Sequence, residues 1–442
     1  MTRQVVDAVA VDRVAVRVYG EGWQSWTPTY WTAPGGQPRP ATEEQRTMRF
    51  RASMPPPDDG WQGEGLLVVD PGTGDPCRLY ADSDAEEAVT SIRARLRGDR
   101  LEVEADADLA PVLAHDPVGA LAGFGEAFAR SAGVASVREP PRVWCSWYHY
   151  FEQVTAEDIR ENAAAIERHA LPVDVVQLDD GWSHGLGEWL RPTDGFPSLA
   201  RLVEEIRAGG LRAGIWLAPF MVGVDSSVAR EHPDWLLGGT GFNWGQEQRG
   251  LDVTHPAVRE YLHTSVRQLR DLGVDYFKLD FLYAGATPGH RHEDVSDVAA
   301  YRSGLRLLRD AAGEDAFLLG CGAPVLPSVG IVDAMRVASD TFHEGGEDGA
   351  GGPTGRPSVV GRAWQQGRLW ITDPDCLVVR PSYPHRGAWA ETVARFGGSR
   401  SFSDRIDEVD DWGLATLREV LPGATAEPFA ADVLRASLEE SR

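Results

Sequence analysis

The chain has 442 residues, of which 42% are hydrophobic, enough to build one (β/α)8 barrel together with a smaller domain. Its formal net charge of −24 at pH 7 repels phosphates, which argues against nucleic acids and anionic membrane surfaces as partners. This charge is compatible with a small neutral substrate.

The first part of the chain, residues 1–137, has the pattern of a β-rich domain. DRVAVRVYG, GEGLLVVD and RLEVEADA alternate apolar and polar residues, which is the period of half-buried strands. APGGQPRP and MPPPDDG separate such strands, because glycine and proline favour turns. The sequence therefore predicts an N-terminal β-sandwich-like domain, followed by a short helix at GEAFARSAG and a linker at REPPR.

From residue 140 to about 425, short apolar strands alternate with amphipathic helices. Eight segments have the strand pattern: VWCSWYHYF, VDVVQLDDGW, LRAGIWLAPF, VDYFKLDF, AFLLGCG, AMRVASD, LWITDPD and SRSFSD. This alternation predicts an α/β fold, a parallel (β/α)8 TIM barrel. PVLPSVGIVD leaves little room for a helix after the fifth strand, and residues 426–442 are predicted to be a short C-terminal tail.

Ionisable and aromatic residues recur where the predicted strands end. In such a barrel the chemistry lies at the C-terminal ends of the strands, so these residues are candidates for a site. Proximity to solvent is the alternative explanation, although it accounts less easily for the mixture of carboxylates and tryptophans. The strand-end candidates are Asp179, Asp180, Trp182, Trp216, Lys278, Asp280, Cys321, Arg336, Asp340, Asp373 and Asp375.

Lys278 is the only lysine among 43 basic residues, and it lies two positions before Asp280. Side chains two apart on a strand point the same way, so both are expected at the barrel mouth. A cation beside Asp280 would keep that carboxylate ionised, as a nucleophile requires. A structural ion pair is the alternative.

Other carboxylates and tryptophans complete the predicted site. Asp340 follows the sixth strand and is the candidate proton donor. The pair Asp179–Asp180 suits hydrogen bonds to sugar hydroxyls, although a helix N-cap is an alternative role for one of them. Tryptophan rings can stack on sugar rings or fill the core; those on or just after strands are Trp144, Trp147, Trp182 and Trp216.

At these residues the sequence resembles the glycoside hydrolases of families 36 and 27, the α-galactosidase (melibiase) clan. The resemblance covers about residues 140–425 and rests on WCSWYHYF, QLDDGW, GIWLAPF, YFKLDF, RVASDT, WITDPDCLVVR and GGSRSFSDRIDEV. GEGWQSWTP is similar to a motif of the N-terminal β-domain of family 36.

The resemblance implies a role for each matching residue. Asp280 would be the nucleophile and Asp340 the general acid/base. Binding of a terminal galactose would fall to the remaining matches: Asp179 and Asp180 at O4 and O6, Lys278 at the ring hydroxyls, Arg336 at the O2 side, and Trp147 and Trp216 lining the subsite. Cys321, Asp373 and Asp375 are further candidates for substrate binding.

The sequence also departs from the family pattern. The N-terminal domain is about half of the usual length, and little chain follows LREVLP, where family 36 has a C-terminal β-domain. The loop CGAP replaces a glycine-rich or acidic loop, and the first strand lacks the usual asparagine. These departures leave the exact sugar and its leaving group undecided.

The expected function is therefore that of a retaining, exo-acting α-galactosidase that needs no metal or organic cofactor. A related glycosidase such as an α-N-acetylgalactosaminidase, a transglycosylase, and a carbohydrate-binding protein without activity remain alternatives. So does a barrel that binds magnesium through Asp179, Asp280 and Asp340. The scattered cysteines and the absence of a secretion signal predict a cytoplasmic protein with reduced thiols, and a homo-oligomer is compatible with the sequence.

Overall fold

The computed structural model describes residues 3–40, 42–341 and 351–440. Two four-stranded antiparallel sheets form its N-terminal part, with strand orders β1-β7-β6-β3 and β2-β4-β5-β8. The strands are β1 Gln4–Ala10, β2 Arg17–Gly20, β3 Trp61–Glu64, β4 Leu66–Asp70, β5 Cys77–Ala81, β6 Ser91–Arg97, β7 Arg100–Ala105 and β8 Val112–Ala114. Two helices accompany them, α1 Glu43–Arg49 and α2 Pro117–Ser131.

The two N-terminal sheets pack face to face. Val103 and Ile92 of one sheet and Val18 and Leu67 of the other are fully buried in one hydrophobic cluster. Burial alternates with a period of two along β7, as in a sheet that is buried on one face. Strand β4 is buried on both faces, because Leu67 belongs to this cluster and Leu66 to the main core. The β-sandwich-like architecture expected from the sequence is confirmed.

Eight parallel strands form the barrel. They are β9 Arg142–Cys145, β10 Val175–Leu178, β11 Arg212–Leu217, β15 Val274–Leu279, β16 Phe317–Gly320, β17 Ala334–Arg336, β18 Ile371–Asp373 and β19 Arg400–Phe402. The sheet runs β18-β17-β16-β15-β11-β10-β9-β19. Leu377, just after β18, closes the ring, because its N–H donates to the carbonyl of Ser401 at 2.8 Å. The predicted TIM barrel is therefore confirmed.

The helices and the remaining strands surround this barrel. The helices are α3 Trp147–Tyr150, α4 Ala156–Arg168, α5 Leu199–Ala208, α6 Ser227–Glu231, α7 Pro256–Leu272, α8 Asp297–Ala312, α9 Val325–Ser328, α10 Gly351–Gly361, α11 Arg386–Phe396, α12 Asp411–Val420 and α13 Ala431–Glu440. A three-stranded antiparallel sheet lies between β11 and α7 and consists of β12 Met221–Gly223, β13 Leu236–Asn243 and β14 Gln246–Leu251.

Three local outcomes follow from the residues. After the fifth barrel strand, α9 has only four residues, as the short connection implied. The hairpin β13–β14 was not predicted, because its glycines and polar residues lack the apolar alternation of a strand. Inside the predicted C-terminal tail, α13 buries Leu434 and Leu438.

A buried ion pair joins the N-terminal part to the barrel. The guanidinium of Arg362 donates to the Glu21 carboxylate at 2.8 Å, and their side chains are 1% and 0% exposed. The same guanidinium donates to the carbonyls of Ser25 at 2.7 Å and Val337 at 3.0 Å and to the Thr29 hydroxyl at 2.8 Å. This network holds the GEGWQSWTP segment against the barrel.

Within the residues that the structure describes, no helix is both long and apolar enough to cross a membrane. The four cysteines Cys77, Cys145, Cys321 and Cys376 are buried and free.

Candidate active site

A cavity of about 470 Å³ opens at the C-terminal ends of the barrel strands. This volume lies in the range of sites that enclose small organic ligands, which is about 300–1,000 Å³. Its lining residues are Trp26, Thr42, Glu44, Gln45, Met48, Arg49, Trp147, Glu152, Asp179, Asp180, Trp216, Asn243, Trp244, Lys278, Asp280, Phe281, Ser339 and Asp340. Seven of the residues that the sequence singled out are therefore brought together.

Asp280 directly follows β15 and is held by two donors. The indole N–H of Trp216 donates to its Oδ2 at 3.0 Å, and the backbone N–H of Phe281 donates to its Oδ1 at 2.8 Å. Phe281 has a φ of +48°, in the left-handed region that a bulky residue seldom occupies. Asp280 itself is 6% exposed, so it is an oriented carboxylate at the cavity floor.

Lys278 hydrogen-bonds to Asp179 rather than to Asp280. Its Nζ donates to Asp179 Oδ2 at 2.9 Å, and both side chains are buried. Burial by itself would lower the pKa of Lys278, but the negative charges of Asp179 and Asp280 raise that pKa well above its ordinary value. The lysine therefore carries a positive charge between the two carboxylates.

Asp179 is held by further donors from within the barrel. The amide of Gln177 donates to the same Oδ2 at 2.6 Å, and the thiol of Cys145 donates to it at 3.2 Å. Its other oxygen accepts the backbone N–H of Asp180 at 3.0 Å. This carboxylate is thus immobilised, and it forms the inner wall of the cavity.

Asp180 lies in a different electrostatic environment. Burial, together with the negative charges of Asp179, Glu152 and Asp280, raises its pKa to about 7. The backbone N–H of Gly181 donates to it at 2.8 Å and opposes this shift. Asp180 can therefore exchange a proton near neutral pH.

Asp340 lies beyond the end of β17, on the same cavity. Its Oδ1 accepts a hydrogen bond from Arg336 Nη1 at 2.9 Å, and its side chain is 32% exposed. It is thus more open to solvent than Asp280. Asp280 and Asp340 thus line the same cavity, and glycoside hydrolysis uses two carboxyl groups that flank the bond to be cleaved.

Five of the predicted substrate-binding residues do not line the cavity. Arg336 is buried beneath Asp340 and pairs with Asp375 at 2.7 Å and Asp373 at 3.3 Å. In this structure the partners of the arginine are carboxylates, and its contact with the O2 side of a sugar stays a prediction. The two aspartates satisfy its charge and lie equally deep, because an unpaired buried guanidinium would be costly.

Trp182 and Cys321 also lie behind the cavity wall. Trp182 is fully buried, and its indole N–H donates to the carbonyl of Trp216 at 2.9 Å. Cys321 is fully buried as well, and burial raises the pKa of its thiol. Trp182 therefore supports Trp216, which lines the cavity, whereas a role of Trp182 or Cys321 in substrate binding stays a prediction.

The N-terminal part supplies lining residues that sequence reasoning did not place in the site. Trp26 lies in GEGWQSWTP, and Met48 and Arg49 lie on α1. Trp244, at the tip of the hairpin β13–β14, and Glu152 were missed as well. The density of glycine and tryptophan in GEGWQSWTP was the available signal, whereas α1 carried none.

The described residues contain no group of three or more His, Cys, Asp and Glu side chains placed to hold a metal ion. The magnesium hypothesis required Asp179, Asp280 and Asp340 together, and Asp179 is already bonded to Lys278. That hypothesis therefore lacks its set of ligands in this part of the chain.

The family model described as Melibiase matches residues 136–307. Alpha-galactosidase C of Emericella nidulans is 32% identical over 191 residues, which are 37% of this chain and 25% of that protein. An alpha-galactosidase of Escherichia coli is 33% identical over 152 residues, which are 31% of this chain and 20% of that protein. The matched region thus spans a quarter or less of these two curated relatives.

Solved structures extend the likeness to nearly the whole chain. TtGalA, an alpha-galactosidase from Thermus thermophilus solved in complex with stachyose, is 32% identical, with a TM-score of 0.77 and coverage of 95% of this chain and 93% of that chain. The same enzyme in complex with p-nitrophenyl α-D-galactopyranoside is 30% identical, with a TM-score of 0.77 and coverage of 95% and 91%.

A more distant structure shares the fold alone. It is the family 36 alpha-galactosidase AgaA from Geobacillus stearothermophilus, at 14% identity and a TM-score of 0.62, covering 94% of this chain and 61% of that chain. The near full-length match to TtGalA and the melibiase match over the first half of the barrel together identify the family of this chain. The chain belongs to the melibiase (alpha-galactosidase) family of glycoside hydrolases.

Proposed function

We propose that this protein is a retaining, exo-acting α-galactosidase that removes terminal α-linked galactose from small glycosides. The observation that carries the proposal is that Asp280 and Asp340 line one cavity at the strand ends. TtGalA, which is similar over 95% of this chain, binds a p-nitrophenyl α-galactoside and stachyose, and this supports the choice of sugar.

The proposed reaction is a double displacement. Asp280 attacks the anomeric carbon as the bond to the leaving oxygen breaks, and Asp340 gives its proton to that oxygen. Asp340 then takes a proton from water, which attacks the anomeric carbon and releases Asp280. Two inversions give net retention of configuration, and Asp340 ends in its starting protonation state.

The surroundings of each carboxylate suit its proposed role. Asp280 is buried and aimed by the Trp216 indole and a backbone N–H, so little reorganisation is needed for attack. Asp340 is accessible, so that it can meet first the leaving oxygen and then a water molecule. Arg336, fixed by Asp373 and Asp375, holds Asp340 in place.

Binding of the galactosyl ring is assigned to the inner wall of the cavity. Asp179, Asp180 and Lys278 offer carboxylate acceptors and an ammonium donor for the ring hydroxyls. Trp147 and Trp216 offer aromatic surface for the apolar face of the ring. The free, buried cysteines support a cytoplasmic location, which we propose as well.

A panel of p-nitrophenyl α- and β-glycosides tests the proposal. We expect the α-galactoside to be hydrolysed faster than the α-N-acetylgalactosaminide, the α-glucoside and every β-anomer. Proton NMR of the first product should show α-galactose before mutarotation. Release of β-galactose first, or preference for another sugar, would contradict the mechanism or the substrate assignment respectively.

A further inference from the structure

The proposed acid/base residue, Asp340, lies in a segment without regular secondary structure. Residues 337–341 follow β17 and belong to no helix or strand, so neither a helical turn nor a strand ladder fixes their side chains. A general acid has to lie within hydrogen-bond reach of the oxygen that it protonates. The position of Asp340 therefore depends on side-chain contacts from other parts of the barrel.

The first of these contacts comes from Arg336 at the end of β17. Its Nη1 donates to Oδ1 of Asp340 at 2.9 Å, and its Nη2 lies 2.7 Å from Oδ1 of Asp375. The guanidinium thus links the accessible carboxylate of Asp340 to a carboxylate that is almost fully buried. This contact fixes one oxygen of Asp340 but not the backbone that carries it.

A second contact fixes the backbone directly after Asp340. The N–H of Thr341 donates to Oδ2 of Asp375 at 2.7 Å and to the hydroxyl of Tyr148 at 3.0 Å. The Tyr148 hydroxyl in turn donates to the same Oδ2. The Thr341 hydroxyl lies 3.1 Å from that oxygen as well. Asp375 therefore holds the chain on both sides of Asp340.

Asp375 reaches both sides from a strained backbone conformation. Its φ is +93°, in a region that non-glycine residues seldom occupy. Strain of this kind persists only where surrounding contacts impose it, and it is concentrated at functional sites. Here one carboxylate oxygen meets Arg336, and the other meets Thr341 and Tyr148.

Tyr148 lies on α3, just after the first barrel strand, and its side chain is buried. Its backbone N–H donates to the hydroxyl of Ser403 at 2.7 Å, which fixes the start of α3. Burial raises the pKa of the Tyr148 phenol well above its usual range, and the negative charges of Asp340 and Asp375 act in the same direction. Tyr148 therefore stays a neutral hydroxyl that donates to Asp375.

We propose that Tyr148 and Asp375 are positioning residues for proton transfer by Asp340. The inference rests on the proposed function and on the role that it gives to Asp340. Neither of the two residues lines the cavity, so they act through Arg336 and Thr341. Their loss should impair the steps in which a proton moves and spare the attack of Asp280 on a substrate with a good leaving group.

Two galactosides that differ only in the leaving phenol test this inference. Phenyl α-galactoside needs a proton on its departing oxygen, whereas dinitrophenyl α-galactoside does not. Tyr148→Phe removes only the hydroxyl. We expect this variant to lower kcat/KM about 10-fold for the phenyl substrate and to keep kcat/KM within about 2-fold of the wild type for the dinitrophenyl substrate. General distortion of the site would lower both values equally.

A second variant changes the carboxylate itself. Asp375→Asn keeps the size of the side chain, and asparagine tolerates a positive φ, so we expect a folded protein with the same selective loss. Attack of water on the glycosyl-enzyme also needs Asp340 as base. In both variants kcat for the dinitrophenyl substrate should therefore fall about 10-fold although kcat/KM is kept. Azide needs no base and should restore that kcat toward the wild-type value.

The matched control is Tyr301→Phe on α8. Tyr301 is fully buried, its hydroxyl lies 2.7 Å from that of Ser328, and it does not line the cavity. We expect this variant to keep kcat/KM for both substrates, although it too loses a buried hydrogen bond. Circular dichroism confirms that each variant is folded.

Three outcomes separate this inference from the proposed function. Equal losses on the two substrates for Tyr148→Phe and Asp375→Asn, or no loss on either, would overturn the inference alone. A leaving-group dependence that Asp340→Ala does not change would refute the role of Asp340. A wild type inactive on all α-galactosides would refute the proposed function, and this inference with it.

Discussion

The indole N–H of Trp216 donates to Oδ2 of Asp280 across 3.0 Å, inside a cavity floor where both side chains are nearly fully buried. A hydrogen bond to a buried carboxylate is charge-assisted and directional. It fixes the carboxylate plane and stabilises its negative charge before any substrate arrives. The other oxygen of Asp280 accepts a hydrogen bond from a backbone N–H, and a side-chain substitution does not remove that bond.

Trp216→Phe should therefore lower kcat while the fold is retained. Phenylalanine keeps most of the aromatic volume but removes the N–H, which we expect to reduce kcat for aryl α-galactosides about 10-fold. Trp412→Phe is the control, because Trp412 is 41% exposed and does not line the cavity. Unchanged kcat in Trp216→Phe would mean that the hydrogen bond does not aim the nucleophile.

Substitution of the two proposed catalytic carboxylates should impair turnover in different ways. Asp280→Gly should abolish turnover of every substrate, because no glycosyl-enzyme can form. Asp340→Ala should fail on poor leaving groups yet still react with dinitrophenyl galactoside. A burst followed by slow turnover is expected there, since no base activates water. Stopped-flow absorbance measures both phases.

Azide rescue provides an independent check of the same assignment. Azide should attack the substrate directly in Asp280→Gly and give the β-galactosyl azide. In Asp340→Ala it should attack the glycosyl-enzyme and give the α-galactosyl azide. NMR distinguishes the two anomers, and the same anomer from both variants would show the roles to be wrongly assigned.

Lys278→Arg should lower kcat/KM about 100-fold without unfolding the protein. The Nζ of Lys278 reaches Asp179 at 2.9 Å in a closely packed site, and a guanidinium fork cannot occupy that point position. The control is Arg267→Lys on α7, where the side chain is 56% exposed. Kinetics on the aryl α-galactoside, with a thermal melt of each variant, check the outcome. Near-normal turnover would show that activity does not require a lysine at position 278.

Asp180 should make the stability of the protein depend on pH. Its pKa is raised from 3.8 to about 7 mainly by burial, so the folded chain binds this proton more tightly than the unfolded chain does. The resulting stabilisation is fully present below about pH 4 and is lost as the pH rises toward 7. Asp180→Asn should remove this contribution, so its free energy of unfolding should decline less between pH 4.5 and pH 7.5.

Urea unfolding at several pH values measures that difference in slope. Asp310→Asn on α8 serves as the control, because Asp310 is exposed. Comparison with the wild type removes the contribution of other buried carboxyls, such as Asp404, whose pKa burial raises to about 6. If the free energy of unfolding changed with pH equally in the wild type and in Asp180→Asn, the prediction would be wrong.

Arg362→Met should destabilise the whole chain. It would leave the Glu21 carboxylate buried without its cationic partner, which typically costs about 3–5 kcal/mol. Loss of the exposed pair between Arg267 and Asp271, through Arg267→Ala, should cost less than about 1 kcal/mol. Urea denaturation compares the two, and similar small losses would mean that the junction between the N-terminal part and the barrel contributes little.

The sequence by itself determined the eight barrel strands and most of the helices, because strand and helix periods are local patterns. It also located the strand ends that carry Asp179, Lys278, Asp280 and Asp340, since parallel strands in a barrel bring their C-terminal ends to one face. The catalytic roles of Asp280 and Asp340 remain predictions, for which the experiments above are designed.

Only the tertiary structure decided which strand-end residues face the cavity. Arg336 and Trp182 carry the same local pattern as their neighbours but are turned inward, because contacts with residues distant in the chain determine their burial. The placement of Arg49 and Trp244 likewise depends on how the N-terminal part and the hairpin pack across the barrel mouth. Hydrophobic periodicity in the sequence describes one helix or strand at a time. A cavity wall is built from several elements, and their packing against one another is not specified by that periodicity.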